Sequence, residues 1–407
     1  MAIADVQEYC HLTEADVEAI GRELDAIRER VEASRGAADA AYIRRVIKTQ
    51  RWLAAGARIG MIVSSPLEPR YRRPVLAASA ISLGLAKILE NMEIGHNVMH
   101  GQWDWMNDPE IHSSTWEWDT AQPAEQWKHS HNYIHHQFTN VLGFDNDIGY
   151  GILRMAREQR WTPVNLGQPV YNALLAMLFQ WGVALHDLDL EAIRKLEKDP
   201  KVMRQQLLQI AKKGRNQFFK DYLLYPALSG KEWKSTLQAN VAANFMRNVW
   251  AYMIIFCGHF PDGALHFTED ELEDETRAEW YLRQILGTAN FEGSKLLHIM
   301  SGNLGYQIEH HLFPDLLSNR YGEIAPEIRA LCDKYEIPYT TGPLHRQYGQ
   351  VLRVIHKLTL PNRFTQDDKP PTGTDVTVRH GRQNHEQRQQ RRTELGAWSR
   401  TKAALRG

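Results

Sequence analysis

The chain has 407 residues and a formal net charge of −1, with 48 lysines and arginines set against 49 aspartates and glutamates. That length holds one large domain or two ordinary ones, and the balanced charge removes any bulk electrostatic case for nucleic acid. Only Cys10, Cys257 and Cys332 are present; odd in number and far apart, they argue against a disulfide framework or a CxxC metal site and point to a reducing compartment.

The N-terminal MAIADVQEYCHLTEADVEAI lacks the basic-then-apolar pattern of a signal peptide. Residues 12–51 read as polar amphipathic helix: Thr13 with Asp16 forms a start signal, and Leu24, Ile27 and Val31 follow helical spacing. Four apolar stretches follow, Trp52–Val63, Pro74–Leu89, Pro169–Leu185 and Ala239–Phe260. None is an unbroken run of about 20 apolar residues, so hydropathy leaves two readings open: membrane spans, or buried helices of a soluble α-protein. The mean hydropathy of −0.48 is diluted by polar ends. In outline the stretches form two close pairs, and two hairpins would leave the long polar region between them on one membrane side. Arg44, Arg45, Lys48 and Arg51 flank one end of the first hairpin and Arg70, Arg72 and Arg73 the other, so positive charge orients it only weakly. The 12 tryptophans suit boundaries between apolar and wet surroundings. Residues 191–221 read as a charged helix with a solvated face, and 322–358 as amphipathic helices with turns at Pro338 and Pro343. The division is 1–48 as N-terminal cytosolic amphipathic helices, 49–360 as the main domain, and 361–407 as a disordered polar tail.

Histidines are concentrated in three places. His96 and His100 are spaced i, i+4 after the second apolar stretch, and share a helix face; alone, such a pair is weak. The run His129-Ser-His131-Asn-Tyr-Ile-His135-His136 is stronger, because imidazoles titrate near neutrality and packing gives no reason for four in eight residues. His131 and His135 share a face, His136 points about a third of a turn away, and His129 faces elsewhere. In Gln307-Ile-Glu-His310-His311 all three polar ends approach one site from one helix. Nitrogen-rich ligation suits Zn, Cu, Fe or Ni. A structural zinc takes four ligands, so seven histidines are most economically read as holding two metals, and a redox pair with open positions activates O₂.

The motifs HNVMH, HNYIHH and QIEHH, with HNYIHHQFTNVLGFDND and SGNLGYQIEHHLFPDLLSNRYGEIAP around them, resemble the integral-membrane fatty acid desaturase family over about residues 40–360. ENMEIGHNVMHGQWDWMNDPEIHSSTWEWD is most similar to the mycobacterial stearoyl-CoA (acyl-CoA) Δ9 branch. The resemblance implies an all-α membrane protein: four transmembrane helices as two hairpins under a cytosolic helical cap that holds a di-iron centre, in a bacterial cytoplasmic membrane. It implies O₂-dependent conversion of a saturated acyl-CoA to a cis-monounsaturated product. Electrons would come from NAD(P)H through a separate reductase or ferredoxin-like donor, since no HPGG cytochrome b5 motif is present. Iron would be held by His96, His100, His131, His135, His136, His310 and His311, with His259 of FCGHFPDG as a further ligand and His298 as its rival. Glu93, Asn97, Asp104, Asn132 and Glu309 are expected to support the ligands, and His112 to lie behind them or face substrate. Trp103, Trp105, Trp116 and Trp118 either line an acyl tunnel or anchor the membrane interface. Gln307 departs from the histidine many Δ9 acyl-CoA enzymes carry there, as a weak ligand or a positioning group, and its form is common in front-end desaturases. A hydroxylase or acyl-lipid desaturase on the same scaffold, and a metal carrier, are the alternatives; a carrier would place its ligands at mid-membrane.

Overall fold

The computed structural model describes residues 6, 8, 10–186, 188, 199–272 and 274–365. The chain is mostly helical, with one short parallel pair, β1 (Asn290–Glu292) and β2 (Thr341–Pro343), in the register Asn290↔Thr341.

Helix α1 (Glu14–Ser34) starts where expected. Thr13 Oγ accepts from Asp16 N at 3.2 Å, while the Asp16 carboxylate accepts from Thr13 N at 2.9 Å. Its buried face is Val17, Ile20, Leu24 and Val31. The helical region expected over 12–51 divides at 35–36, and α2 (Ala37–Val63) runs without a break into the first apolar stretch. The 48/49 boundary therefore falls inside a helix.

Helix α3 (Pro69–Leu89) contains the second stretch and continues to Met99. Among the described residues, Pro69–Met99 is the one helix long and apolar enough, by composition, to cross a membrane.

The third stretch behaves differently. It splits into α4 (Gln168–Met177) and α5 (Phe179–His186). Leu178 leaves helical geometry at φ −112°, ψ 24°. Ten and 8 residues are far short of a hydrocarbon layer, so Pro169–Leu185 is not one spanning helix. Asn172 bonds Tyr252, the Met177 carbonyl accepts from Asn248 at 2.8 Å, and His186 reaches Asp147 at 3.2 Å.

The segment read as a solvated charged helix is also different. From α6 (Pro200–Phe218) the chain stays helical through Phe219–Leu224 to Leu228. Lys201, Arg204, Lys212 and Arg215 are exposed, as a solvated face requires, but Asp221 is fully buried and accepts from Lys87 at 2.9 Å and Arg58 at 2.5 Å. Residues 191–198 lie outside the described residues.

Helix α7 (Trp233–His259) holds the fourth stretch and packs along α3. The α2–α3 turn meets the corner before α7: Ser65 Oγ donates to the Ser229 carbonyl at 2.6 Å, and Arg72 pairs with Glu232 at 2.9 Å. At the opposite ends of α3 and α7 lie the histidines.

The remaining helices, α8 (Arg277–Gly287), α9 (Gln307–Leu312), α10 (Tyr321–Lys334) and α11 (Leu344–Lys357), close over that end. An apolar core joins α1, α8, α9 and α10 through Ile20, Leu24, Ile285, Leu312 and Ile328. Residues 358–365 are tied down by Arg154, which donates to Leu358, Leu360 and Asn362, and by Arg157, which donates to the Thr365 carbonyl; the rest of the expected tail lies outside the described residues.

Candidate metal centre

His96 and His100 stand where α3 widens into a π turn over Glu90–His96. A second π turn covers Lys128–His135, and His136 N bonds the His131 carbonyl, five residues back, at 3.1 Å. Such turns re-aim side chains and are frequent at functional sites. His259 is the last residue of α7, and His310 and His311 end α9.

The rings converge. His96 and His100 have centroids 4.6 Å apart, His131 and His135 4.9 Å, His135 and His259 4.7 Å, and His136 and His311 4.3 Å. Their nitrogens form three groups within 4.8 Å: His96, His100, His131 and His310; His135, His259 and His311; His136, His310 and His311. His131 and His135 share a face, as their spacing predicts; they fall in different all-histidine groups and also come together with Asp147.

Buried polar atoms are nearly always hydrogen-bonded. Here Nε2 of His100, His131, His135, His310 and His311, and both nitrogens of His136, are buried without a partner. The outer Nδ1 atoms are engaged: His96 with Asn97 at 3.1 Å, His310 with the Tyr321 hydroxyl at 3.3 Å, and His311 with Gln284 at 3.1 Å and Thr139 at 3.2 Å. An imidazole fixed by its outer nitrogen, with the inner one free, has the arrangement of a metal ligand. Burial first, and neighbouring imidazoles second, hold His100, His136, His310 and His311 far below their ordinary pKa, hence neutral. Lone pairs that face inward and resist protonation fit divalent cations with a preference for nitrogen.

Two carboxylates escaped the sequence reading. Asp145 places both oxygens 3.0 Å from His135 Nδ1, and Asp147 reaches His131 Nδ1 at 3.4 Å. Burial opposes charge on His135, and Asp145 overcomes it, so this imidazole is raised. The available signal was the FDND segment ten residues beyond the cluster.

The other expected residues are distributed unevenly. Gln307 lines the same site: its amide nitrogen lies 3.0 Å from His259 Nε2, and its Oε1 is buried without a partner. Glu93 acts through Asn97, whose amide donates to it at 3.3 Å, and also binds the Tyr42 hydroxyl at 2.7 Å. Asn132 donates to the Met99 carbonyl at 2.8 Å, beside His100. Glu309 turns away, accepting from Asn290 and Tyr339 at 2.8 and 2.7 Å. Asp104 does not support a clustered histidine: it accepts from Ser113 N at 2.8 Å and organises its own loop. His112 bonds Ser114 in that loop at 2.8 Å. His298 stacks on Tyr306 at 4.3 Å, outside the groups, and His129 stacks on Tyr133.

A mainly apolar cavity reaches His96, His131, His135 and His259. Met92, Tyr150, Phe179, Val183, Ala251 and Ile255 line it, with Gln122, Arg247 and Asn248 among its polar groups. Of the four tryptophans expected in a tunnel, only Trp118 lines it; Trp103 is fully buried against Tyr42, and Trp105 and Trp116 join the same apolar cluster. Trp127, not anticipated, lines the cavity and stacks on His131 at 4.5 Å.

Gly302 sets the distance between the third cluster's approach and the first. Its φ is +72°, and an added Cβ would lie 2.6 Å from the Met92 carbonyl oxygen. Both the backbone and the contact exclude a side chain. Gly302→Ala is expected to cost at least about 1 kcal/mol, read as a lower thermal midpoint.

The chain matches the fatty acid desaturase family over residues 73–343. It is 51% identical over 382 residues, 92% of this chain and 88% of the relative, to an NADPH-dependent stearoyl-CoA 9-desaturase of Mycobacterium tuberculosis. It is 25% identical over 277 residues, 66% of this chain and 76% of the relative, to an sn-1 linoleoyl-lipid 6-desaturase of Synechocystis. Fatty acid desaturase 3 of Homo sapiens is 29% identical over 140 residues, 34% of this chain and 28% of the relative.

Proposed function

The chain belongs to the fatty acid desaturase family, and from that premise we propose that it introduces a Δ9 cis double bond into a saturated long-chain acyl-CoA of the stearoyl type. It is an oxidoreductase of lipid biosynthesis. The observation that carries the finer reading is the unpartnered inward nitrogens of the clustered histidines, set against a mainly apolar cavity.

His96, His100, His131 and His310 would hold one iron; His135, His259 and His311 the other; His136 stands beside His310 and His311, between them. When bound, the pair supplies the O₂-dependent oxidation that removes two vicinal hydrogens, with two electrons drawn from NAD(P)H through a separate donor protein and two protons taken up as both oxygen atoms leave as water. The protein's own work is binding and orientation. Apolar walls take the acyl chain out of water, Trp118 and Trp127 flank it beside His131, and Gln307 fixes His259. No side chain needs to act as a general base.

The membrane arrangement follows the same reading. Two hairpins, α2 with α3 and the helix Pro200–Leu228 with α7, have their turns joined at Ser65–Ser229 and Arg72–Glu232. The 27 residues of α2 or α7 span about 40 Å, more than a hydrocarbon core of about 30 Å. The broken pair α4–α5 packs beside α7 at the cavity. Large exposed apolar side chains on these helices, including Ile59, Ile81, Leu208, Phe219 and Phe245, suit lipid. The histidines lie at the ends away from the tight turns, on the cytosolic side.

Expression of the full chain in a host lacking Δ9 activity tests the reading. New oleate-type product, with the double bond mapped to C9 by mass spectrometry, is the expected result. A hydroxylated product, or a bond inserted only on the carboxyl side of an existing one, would replace it with a hydroxylase or front-end assignment.

A further inference from the structure

Eight imidazole ligands bring no negative charge to a pair of divalent cations, and burying cations is costly unless their charge is offset. We propose that Asp145 and Asp147 are the anionic positioning residues of the centre, one behind each metal group, fixing the rings of His135 and His131 and offsetting the cations. This rests on reading the histidine groups as a metal centre.

The outer partners of the other rings are neutral: Asn97 behind His96, the Tyr321 hydroxyl behind His310, and Gln284 and Thr139 behind His311. Among the described residues, the clustered rings that meet carboxylates are those of the second cluster: Asp145 meets His135 at 3.0 Å, and Asp147 Oδ2 lies nearer His131, at 3.4 Å, than His135, at 3.7 Å. His135 belongs with His259 and His311, while His131 belongs with His96, His100 and His310. Asp145 is buried and held from behind, accepting from Asn140 N at 2.8 Å and Asp147 N at 2.9 Å. The Asn140 amide donates to the His259 carbonyl at 3.2 Å and the Gly287 carbonyl at 2.7 Å, so the loop is registered against the end of α7. Asp147 Oδ1 meets His186 Nε2 at 3.2 Å, leaving Oδ2 for His131. Both carboxylates come from one short loop. One loop therefore biases both halves of the centre.

The test uses the full chain, purified and iron-loaded, with Asp145→Asn and Asp147→Asn. Asparagine keeps the size and the acceptor oxygen but removes the charge. Metal affinity, read by Co²⁺ titration of the visible bands, is expected to fall 10-fold or more, within the roughly 10–100-fold range for such outer partners. The reduction midpoint of the iron form is expected to rise. Gln284→Glu adds a carboxylate behind His311 and should lower the midpoint, so the charge argument stays testable if the first two variants fold poorly. Wild-type affinity and midpoint in both Asn variants would overturn the proposal, as would an unmoved midpoint in Gln284→Glu. Wild-type chain that takes up neither cobalt nor iron would instead remove the metal reading beneath it.

Discussion

Replacing His136 by alanine is expected to abolish desaturation and to strip iron from the protein, with product below about one hundredth of wild type. The size follows from position. Loss of a group merely behind a ligand costs 10–100-fold, and His136 stands inside the cluster. Its ring centroid is 4.7 Å from His100, 4.9 Å from His310 and 4.3 Å from His311, and both its nitrogens are buried without partners. Alanine leaves a gap between the groups and no substitute donor. Iron per chain and product yield, measured on the same preparation, check the expectation. His129→Ala is the control: at the start of the helical segment that His136 caps, it stacks on Tyr133 instead of entering the cluster, so iron and product should stay near wild type. Normal iron content in the His136 variant would take that ring out of the centre.

Legibility in the sequence followed density of signal. Seven of the histidines were readable because imidazoles crowd without a packing reason, and helical spacing put them on common faces. The start of α1 was readable from Thr13 and Asp16, since the cap uses side chains adjacent in sequence. Asp145 and Asp147 were not. Two acids in a turn have the composition of any surface loop, and only the fold brings them against His135 and His131. The third apolar stretch fails to form one helix for a related reason. Pro169–Leu185 is apolar but breaks at Leu178, where no glycine or proline stands. The helix Pro200–Leu228 carries Lys212, Lys213, Lys220 and Asp221, which read as a wet surface. Charge lowers hydropathy whether it meets water or another charge, so a helix whose ions are paired inward looks soluble. Its exposed groups are mixed: Leu208, Phe218, Phe219 and Leu224 stand beside Lys201, Arg204, Lys212 and Arg215.

That inward pairing leads to a prediction about stability. Asp221→Ala is expected to prevent accumulation of folded protein. Asp221 accepts from Arg58 of α2, Lys87 of α3 and Asn244 of α7, at 2.5, 2.9 and 3.1 Å, so one carboxylate on the Pro200–Leu228 helix ties three others. Removing it leaves Arg58 without its carboxylate, while Lys87 keeps only Asp119 at 3.3 Å, which Lys220 already engages at 2.6 Å. Breaking a buried pair from one side costs on the order of 3–5 kcal/mol, a large part of the roughly 5–15 kcal/mol that holds a domain together. Replacing both sides with apolar groups is often near neutral, so Lys87→Met placed on Asp221→Leu should restore part of the loss. Thermal unfolding in detergent, with the yield in the membrane fraction, measures each step. The network also underlies the site: Arg247 lines the cavity and donates to the Asp119 carbonyl at 3.3 Å. A partly rescued double variant should therefore recover fold before it recovers activity, because the cavity wall depends on where Arg247 comes to rest. An Asp221→Ala protein as stable as wild type would mean that the Pro200–Leu228 helix does not pack against α2, α3 and α7 through this carboxylate, and the second hairpin would need another first helix.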